Sequence, residues 1–252
     1  MNRTRWSAVG AALGLAAALL VLTPGTAVAA GRSCPLPTFG PGASYHPHFR
    51  AGPHTANVTN PWFPLPVGTT SIYAGTKDGE SAIDIVMNSR ATRVIDGVRT
   101  RVVEDRLFLS GNLEERTSDY YAQDRCGNVW YFGEDTAELD SHGRVVDTSG
   151  SFHAGIDGAQ PGVFMQARPQ LGRRFRQEWY AGEAEDTFKV IDLSTPITVP
   201  FGSFKHALRT EETTALEPGV VDNKYYVRGI GEVLEKSVKG GREALVLVEV
   251  LS

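Results

Sequence analysis

From Thr69 onward a turn signal interrupts the chain roughly every ten to fifteen residues, and this rhythm constrains the fold more than any other feature. Asp78-Gly79, Asp96-Gly97 and Ser110-Gly111 each sit between apolar or β-branched runs. Such dipeptides supply the positive φ angles that two-residue hairpin turns need, so Asp96-Gly97 between Val94-Ile95 and Val98 is the strongest hairpin signal. Ser141-His142-Gly143, Gly182-Glu183, Phe201-Gly202, Glu217-Pro218-Gly219 and Lys239-Gly240-Gly241 continue the pattern. No 3.6-residue period is sustained between them. The expected fold is all-β: an antiparallel meander forming a curled sheet or β-barrel, because curling or closure removes exposed strand edges. The last strand, Ala244 to Leu251, is apolar at nearly every position and is expected to be covered on both faces.

Two segments depart from the rhythm. Residues 30–68 are rich in Pro, Gly and His and read as an extended N-terminal arm, ending in Asn60-Pro-Trp-Phe-Pro-Leu-Pro-Val-Gly68. Trp62 and Phe63 need burial, so the arm is expected to lie across an end of the sheet or barrel. Ser149 to Gly172 is one long Gly-rich loop carrying the apolar trio Val163-Phe164-Met165. It suits a packed lid or plug, a short helix or a crossover connection. The chain therefore divides into residues 1–29, the arm 30–68, and a single β domain 69–252.

Residues 1–29 read as a signal peptide. Arg3 and Arg5 precede the apolar run Ala8 to Leu22, and Ala27-Val28-Ala29 offers a small-residue cleavage site. A secreted, extracellular protein follows. The two cysteines, Cys34 and Cys126, are then expected to form one disulfide stapling the arm to the centre of the chain. A loop of that length carries a stabilisation of roughly 4–5 kcal/mol in the chain-entropy picture. Net charge is −4 over the whole chain, and loss of Arg3 and Arg5 takes it to −6. That balance argues against nucleic acid and anionic membrane surfaces as partners. No stretch beyond the leader is long and apolar enough for a membrane span.

The centre of the chain is Asp119-Tyr-Tyr-Ala-Gln-Asp-Arg-Cys-Gly-Asn-Val-Trp-Tyr-Phe-Gly-Glu-Asp135, which reads as a hairpin. Tyr120 to Gln123 and Val129 to Phe132 are its arms, and Arg125 to Asn128 its turn. Its mixture of aromatic and acidic residues is unusual for a core hairpin. Acidic residues also interrupt the strand patterns at Glu178 and Asp186. If those faces point inward, carboxylates enter an aromatic interior, where pKa values shift and general acid–base work becomes available. Asp124, Glu134, Glu178 and Asp186 are the catalytic candidates on that reading, and two at glycosidase separation would serve polysaccharide hydrolysis or cleavage. On the competing reading these are charged faces of exposed ribbons, with Arg116 and Arg176 pairing the acids. Strand register alone exchanges the two.

Aromatic residues give a second use for the same interior. Trp62, Tyr121, Trp130, Phe132 and Trp179, with His206, are candidates to line a cavity for a small apolar or amphipathic ligand. A third reading uses His46, His48 and His54 as metal ligands, although no carboxylate or thiol stands at recognisable ligand spacing. No cofactor is implied: nucleophile-elbow, phosphate-loop and zinc-protease motifs are missing from the sequence, and Gly229-Ile-Gly231 reads as a bend.

Asn60 to Thr69, Ala122-Gln-Asp124 with Gly127-Asn-Val-Trp-Tyr-Phe-Gly-Glu134, Gln177-Glu178 with Ala184-Glu-Asp186, and Lys224-Tyr-Tyr226 with Gly229-Ile-Gly231 together resemble a family of uncharacterised exported bacterial proteins. The resemblance covers most of the chain after the leader and implies an exported β-rich domain. It implies no activity. The closing pattern, an aromatic strand and then Gly-x-Gly-x-Val233, also looks like the end of periplasmic half-barrel proteins related to lipoprotein carriers.

Overall fold

The computed structural model describes residues 34–252. The expected signal peptide lies outside the described residues. Fifteen strands form one antiparallel sheet that is not closed. The first five are long: β1 (Thr70–Lys77), β2 (Glu80–Ile95), β3 (Val98–Leu109), β4 (Asn112–Gln123) and β5 (Val129–Leu139). Short strands follow: β6 (Val145–Asp147), β7 (Phe152–His153), β8 (Gln160–Met165), β9 (Arg174–Arg176) and β10 (Glu178–Trp179). Long strands return with β11 (Thr187–Val199), β12 (Gly202–Thr213), β13 (Val221–Val227), β14 (Gly231–Lys239) and β15 (Glu243–Leu251).

The order across the sheet is β10-β8-β5-β4-β3-β2-β1-β15-β14-β13-β12-β11-β9, with β6 and β7 pairing β5. Two meanders are thus joined where β1 pairs β15. The three hairpins expected from sequence form as expected. In Asp78-Gly79, Asp96-Gly97 and Ser110-Gly111 both turn residues have positive φ, the geometry that matches strand twist. Those turns fix register across four strands, with Lys77 opposite Glu80, Ile95 opposite Val98 and Leu109 opposite Asn112.

The two edge strands are neighbours in the chain. β9 pairs β11 at one edge, β10 pairs β8 at the other, and only Gln177 separates them. One short segment therefore passes from edge to edge. Its crossing is tight: a Cβ on Gly162 would sit 2.1 Å from the carbonyl carbon of Gln177. The stretch Ser149 to Gly172 holds β7 and β8, and its apolar trio belongs to β8. Val163 and Met165 are buried, while Phe164 is half-buried on the other face. Coverage of β15 differs from the sequence expectation. Leu245 and Leu247 are buried, but Leu251 on the same strand is exposed, because the strand end runs past β14 and pairs β1 alone.

The arm is anchored by polar contacts as well as by its aromatics. Buried Asn60 accepts hydrogen bonds from the Trp62 and Phe63 amides and donates to the Gly127 and Gln166 carbonyls. Cys34 and Cys126 are disulfide-bonded, as expected. Buried Arg101 donates to the carbonyls of Ser89, Arg90, Ala91 and Ala56, so it satisfies the backbone that the irregularity in β2 leaves unpaired. Arg176 turns toward the arm. It stacks on Trp179 and donates to the Gly40 carbonyl, so it does not pair an acid across strands.

Gly162→Ala is expected to strain the crossing, costing roughly 1–3 kcal/mol and lowering the melting temperature by roughly 3–10 °C. Gly40→Ala, where an added Cβ would meet nothing within 4 Å, should leave it unchanged. Equal melting temperatures for the two variants would show that the backbone crossing is not close.

Candidate functional site

The concave side of the sheet holds a cavity of about 480 Å³. Alternation along the strands decides which residues reach it. Ser71 and Tyr73 come from β1, Asp84, Val86 and Asn88 from β2, Val103 and Asp105 from β3, and Asp119 and Tyr121 from β4. Asn88, Val103, Asp119 and Glu134 stand directly opposite one another in turn across β2 to β5. A register shift between Asp119 and Tyr121 lets both Tyr131 and Glu134 of β5 face the same space. Opposite them stand Glu212 of β12, Lys224 of β13, and Glu232 and Glu235 of β14. Glu178 and Asp186 complete the acidic lining, and Phe63 to Pro66 of the arm close one end. Phe63, Tyr121, Tyr131 and Phe164 form an aromatic group there, with centroids 4.6–5.9 Å apart in the contacting pairs.

Nine carboxyl groups thus share one cavity with one lysine. Lys224 lies 3.6 Å from Glu212 and 3.4 Å from Glu235. Glu212 also accepts from Gln177 and Thr210. Asp119 accepts the Tyr131 hydroxyl, and Glu178 takes a long 3.4 Å hydrogen bond from the Asp186 amide. Asp84, Asp105, Asp119, Glu134, Glu178, Asp186 and Glu232 enter no ion pair among the described residues.

Burial makes charge costly here and raises the proton affinity of most of these acids. Burial, then the charge of Asp105, pushes Asp84 up to about 10 and Asp119 up to about 8. Burial pushes Glu232 up to about 8 against the opposing pull of Lys224. Glu134 and Glu178 lie well above the usual carboxylate range through burial, reinforced by Asp119 and Asp186 respectively. Burial pulls the Lys224 ammonium down, but Glu235, Glu212 and Glu232 outweigh it and keep the lysine charged. Near neutral pH Asp84, Asp119 and Glu232 are therefore neutral and can donate as well as accept hydrogen bonds.

Of the four acid candidates, the structure brings Glu134, Glu178 and Asp186 to this cavity. Asp124 stays in its own turn. Its carboxylate accepts from the amides of Cys126 and Asn128, the Asn128 side chain and the Trp130 indole. Of the ligand-binding candidates only Tyr121 lines the cavity. Trp62 of the arm and Trp130 and Phe132 of β5 are buried in the core cluster, the latter two against Phe49 of the arm. Trp179 lies beneath Arg176 and against Gly42, and exposed His206 meets Ser194 on the β11–β12 hairpin. His46, His48 and His54 are all exposed. Among the described residues, the one set with three possible metal-ligand atoms within 4.8 Å is Cys34, Asp124 and Cys126, whose thiols are joined as a disulfide.

Sequence reasoning missed Asp84, Asp105, Asp119, Glu212, Lys224, Glu232 and Glu235 as one group. A signal existed in Asp84-x-Val86-x-Asn88, a polar alternation on a strand otherwise rich in apolar residues. It becomes informative only once the inward face is known.

No family model matches the sequence, and no curated protein matches it. Two solved structures are similar in fold. One, from Bacteroides fragilis, is described as an exported protein with a YmcC-like fold; it is 11% identical, with a TM-score of 0.44, over 76% of this chain and 99% of that one. The other, described as a lipoprotein from Parabacteroides distasonis, is 10% identical, with a TM-score of 0.40, over 75% of this chain and 98% of that one. Both likenesses are too distant to carry function. Among the described residues no helix is long and apolar enough to cross a membrane.

Carboxyls with raised folded pKa values bind more protons in the native than in the unfolded state. Stability from Asp84, Asp119 and Glu232 is therefore full below the ordinary carboxylate range and is lost as pH rises toward 8 and beyond. Each group contributes a slope of at most about 1.4 kcal/mol per pH unit. Surface Asp135, which Tyr120 and Arg93 hold low despite partial burial, acts in the opposite sense, but only at pH below the ordinary range. Melting temperature should fall from pH 5 to pH 9, and Asp84→Asn should make the fall shallower. A flat or rising profile would show that these acids are solvated. Separately, Asp124→Ala removes the acceptor of four hydrogen bonds and should cost roughly 3 kcal/mol or more in denaturant unfolding.

Proposed function

We propose that this is an exported binding protein whose concave cavity holds a small amphipathic ligand. One observation carries the reading: a cavity of about 480 Å³ combines an aromatic end with carboxyl groups of which seven enter no ion pair. The volume is within the range of small-molecule sites. An apolar body against Phe63, Tyr121, Tyr131 and Phe164 and a polar group among the acids would use both parts. The exported compartment is supported by the disulfide and by the leader-like sequence of residues 1–29.

A second reading is favoured by the meeting of Glu134, Glu178 and Asp186 in one cavity. Carboxyls whose proton affinity is raised by burial are suited to general-acid work on an extracellular polysaccharide. Native and denatured mass spectra of the protein purified from culture medium separate the two. A binding protein is expected to show extra mass in the native spectrum alone, diminished in Phe164→Ala. An enzyme is expected to release reducing ends from polysaccharide, with Glu178→Gln losing about a hundredfold or more in rate. Absence of both adduct and turnover would count against the cavity as a functional site.

A further inference from the structure

The binding reading, on which this inference rests, leaves the chemical class of the ligand open. The lining narrows it. Seven of its nine carboxyl groups enter no ion pair, and the single lysine is already held between Glu212 and Glu235. A site for an anionic headgroup would have the opposite balance.

A second observation is independent of charge. Asn88 is only 8% exposed and lines the cavity, and its Oδ1 has no hydrogen-bond partner. The orientation of that amide is set by its neighbour. The Thr69 hydroxyl donates to the Pro66 carbonyl, so its oxygen accepts from Asn88 Nδ2, which leaves the Asn88 carbonyl as the free atom. Four residues earlier on the same strand face, Asp84 Oδ1 receives no hydrogen bond from an amide, hydroxyl or cation, and the Asp84 carboxyl meets that of Asp105. The free atom of Asn88 is an acceptor. Buried acceptors without donors are costly, and a ligand that donates removes the cost.

A compact metal ion fits less well. No three carboxylate oxygens of the lining lie within 4.8 Å of one another, so the acids are spread around the wall instead of converging on a point. A larger cation that reaches several of them in turn suits that spacing. The electron-rich ring faces of Tyr73, Tyr121 and Tyr131 suit it too.

We propose that the cavity binds an organic amine cation with an apolar portion, an N–H donating to Asn88 Oδ1, its charge facing the acidic wall that includes Asp84 and Asp119, and its hydrocarbon lying toward Phe164 and the arm. The ammonium supplies the donors and the charge that the lining lacks. The aromatic end supplies the hydrophobic contact that distinguishes such an amine from a bare inorganic cation.

Isothermal titration of the full-length exported protein at pH 7 tests this with four probes: n-octylamine, n-octanol, octanoate and calcium chloride. Octylamine is expected to bind about ten- to a hundredfold tighter than octanol, with octanoate showing no binding. The near-isosteric pair Asp84→Asn and Asp119→Asn should each lower octylamine affinity about tenfold while octanol affinity holds. Both replace a buried carboxyl by an amide of nearly the same shape, so circular dichroism is expected to show them folded. Octanol or octanoate binding as tightly as octylamine would overturn the amine assignment and leave the binding reading standing. Calcium binding in place of octylamine would overturn it in favour of a metal. If octylamine fails and the native mass spectrum carries a neutral or anionic adduct, the amine assignment falls alone. If no probe binds and no adduct is seen, both readings fall together.

Discussion

Asn60 holds the arm and the sheet in one piece. Its side chain spans the turn after Pro61 on one side and the carbonyls of Gly127 and Gln166 on the other. Next to it Asp124 gathers four donors of the central hairpin turn, and the disulfide ties Cys34 to the same place. The arm could not run across the end of the sheet without this node, because a proline-rich segment has few amides with which to join a ladder. Once anchored, it carries Phe63 to Pro66 to the mouth of the concave face. The cavity is therefore as much a product of the arm as of the strands.

The sheet pays in stability for what it encloses. Acids along Asn88, Val103, Asp119 and Glu134 and on the facing strands occupy positions that apolar residues would fill in a plain core. Burial keeps several of them neutral, and Lys224 offsets a few of the rest. Two apolar clusters carry the fold around this polar space. One packs the arm against β3 to β5 and β8, and the other packs β1 and β2 against β12 to β15. Members of both border the cavity, Tyr121 and Leu65 from the first and Tyr73 and Leu245 from the second. An arrangement that sets an unsatisfied acceptor between two good cores is the sort of local conflict expected at a ligand site.

The acid candidates show how far sequence could go. Glu134, Glu178 and Asp186 were recognisable because they break an aromatic or apolar pattern, and they do meet. Asp124 broke the pattern as visibly, yet its carboxylate is wholly engaged in capping a turn. Aromatic content misled in the same way. Trp130 and Phe132 sit on the same hairpin as Tyr131, but alternation and the bend at Gly133 send them to the core while Tyr131 faces the cavity. Side-chain type announces that a residue needs a special environment. It does not say which of several environments it occupies.

The sequence by itself determined the fold class, the hairpin turns and the disulfide partners. Dipeptides with positive φ, period-two alternation and two lone cysteines are local or countable signals. Tertiary structure decided the inward face of each strand and the meeting of Asp84, Asp105 and Asp119 with Glu212, Lys224 and Glu232. Those residues come from strands that are far apart in the chain and are joined through β1 and β15. Register shifts in β4–β5 and β11–β12 exchange faces without any marker in composition. A one-residue slip costs the sequence nothing to write, but it moves a carboxyl from water into the cavity.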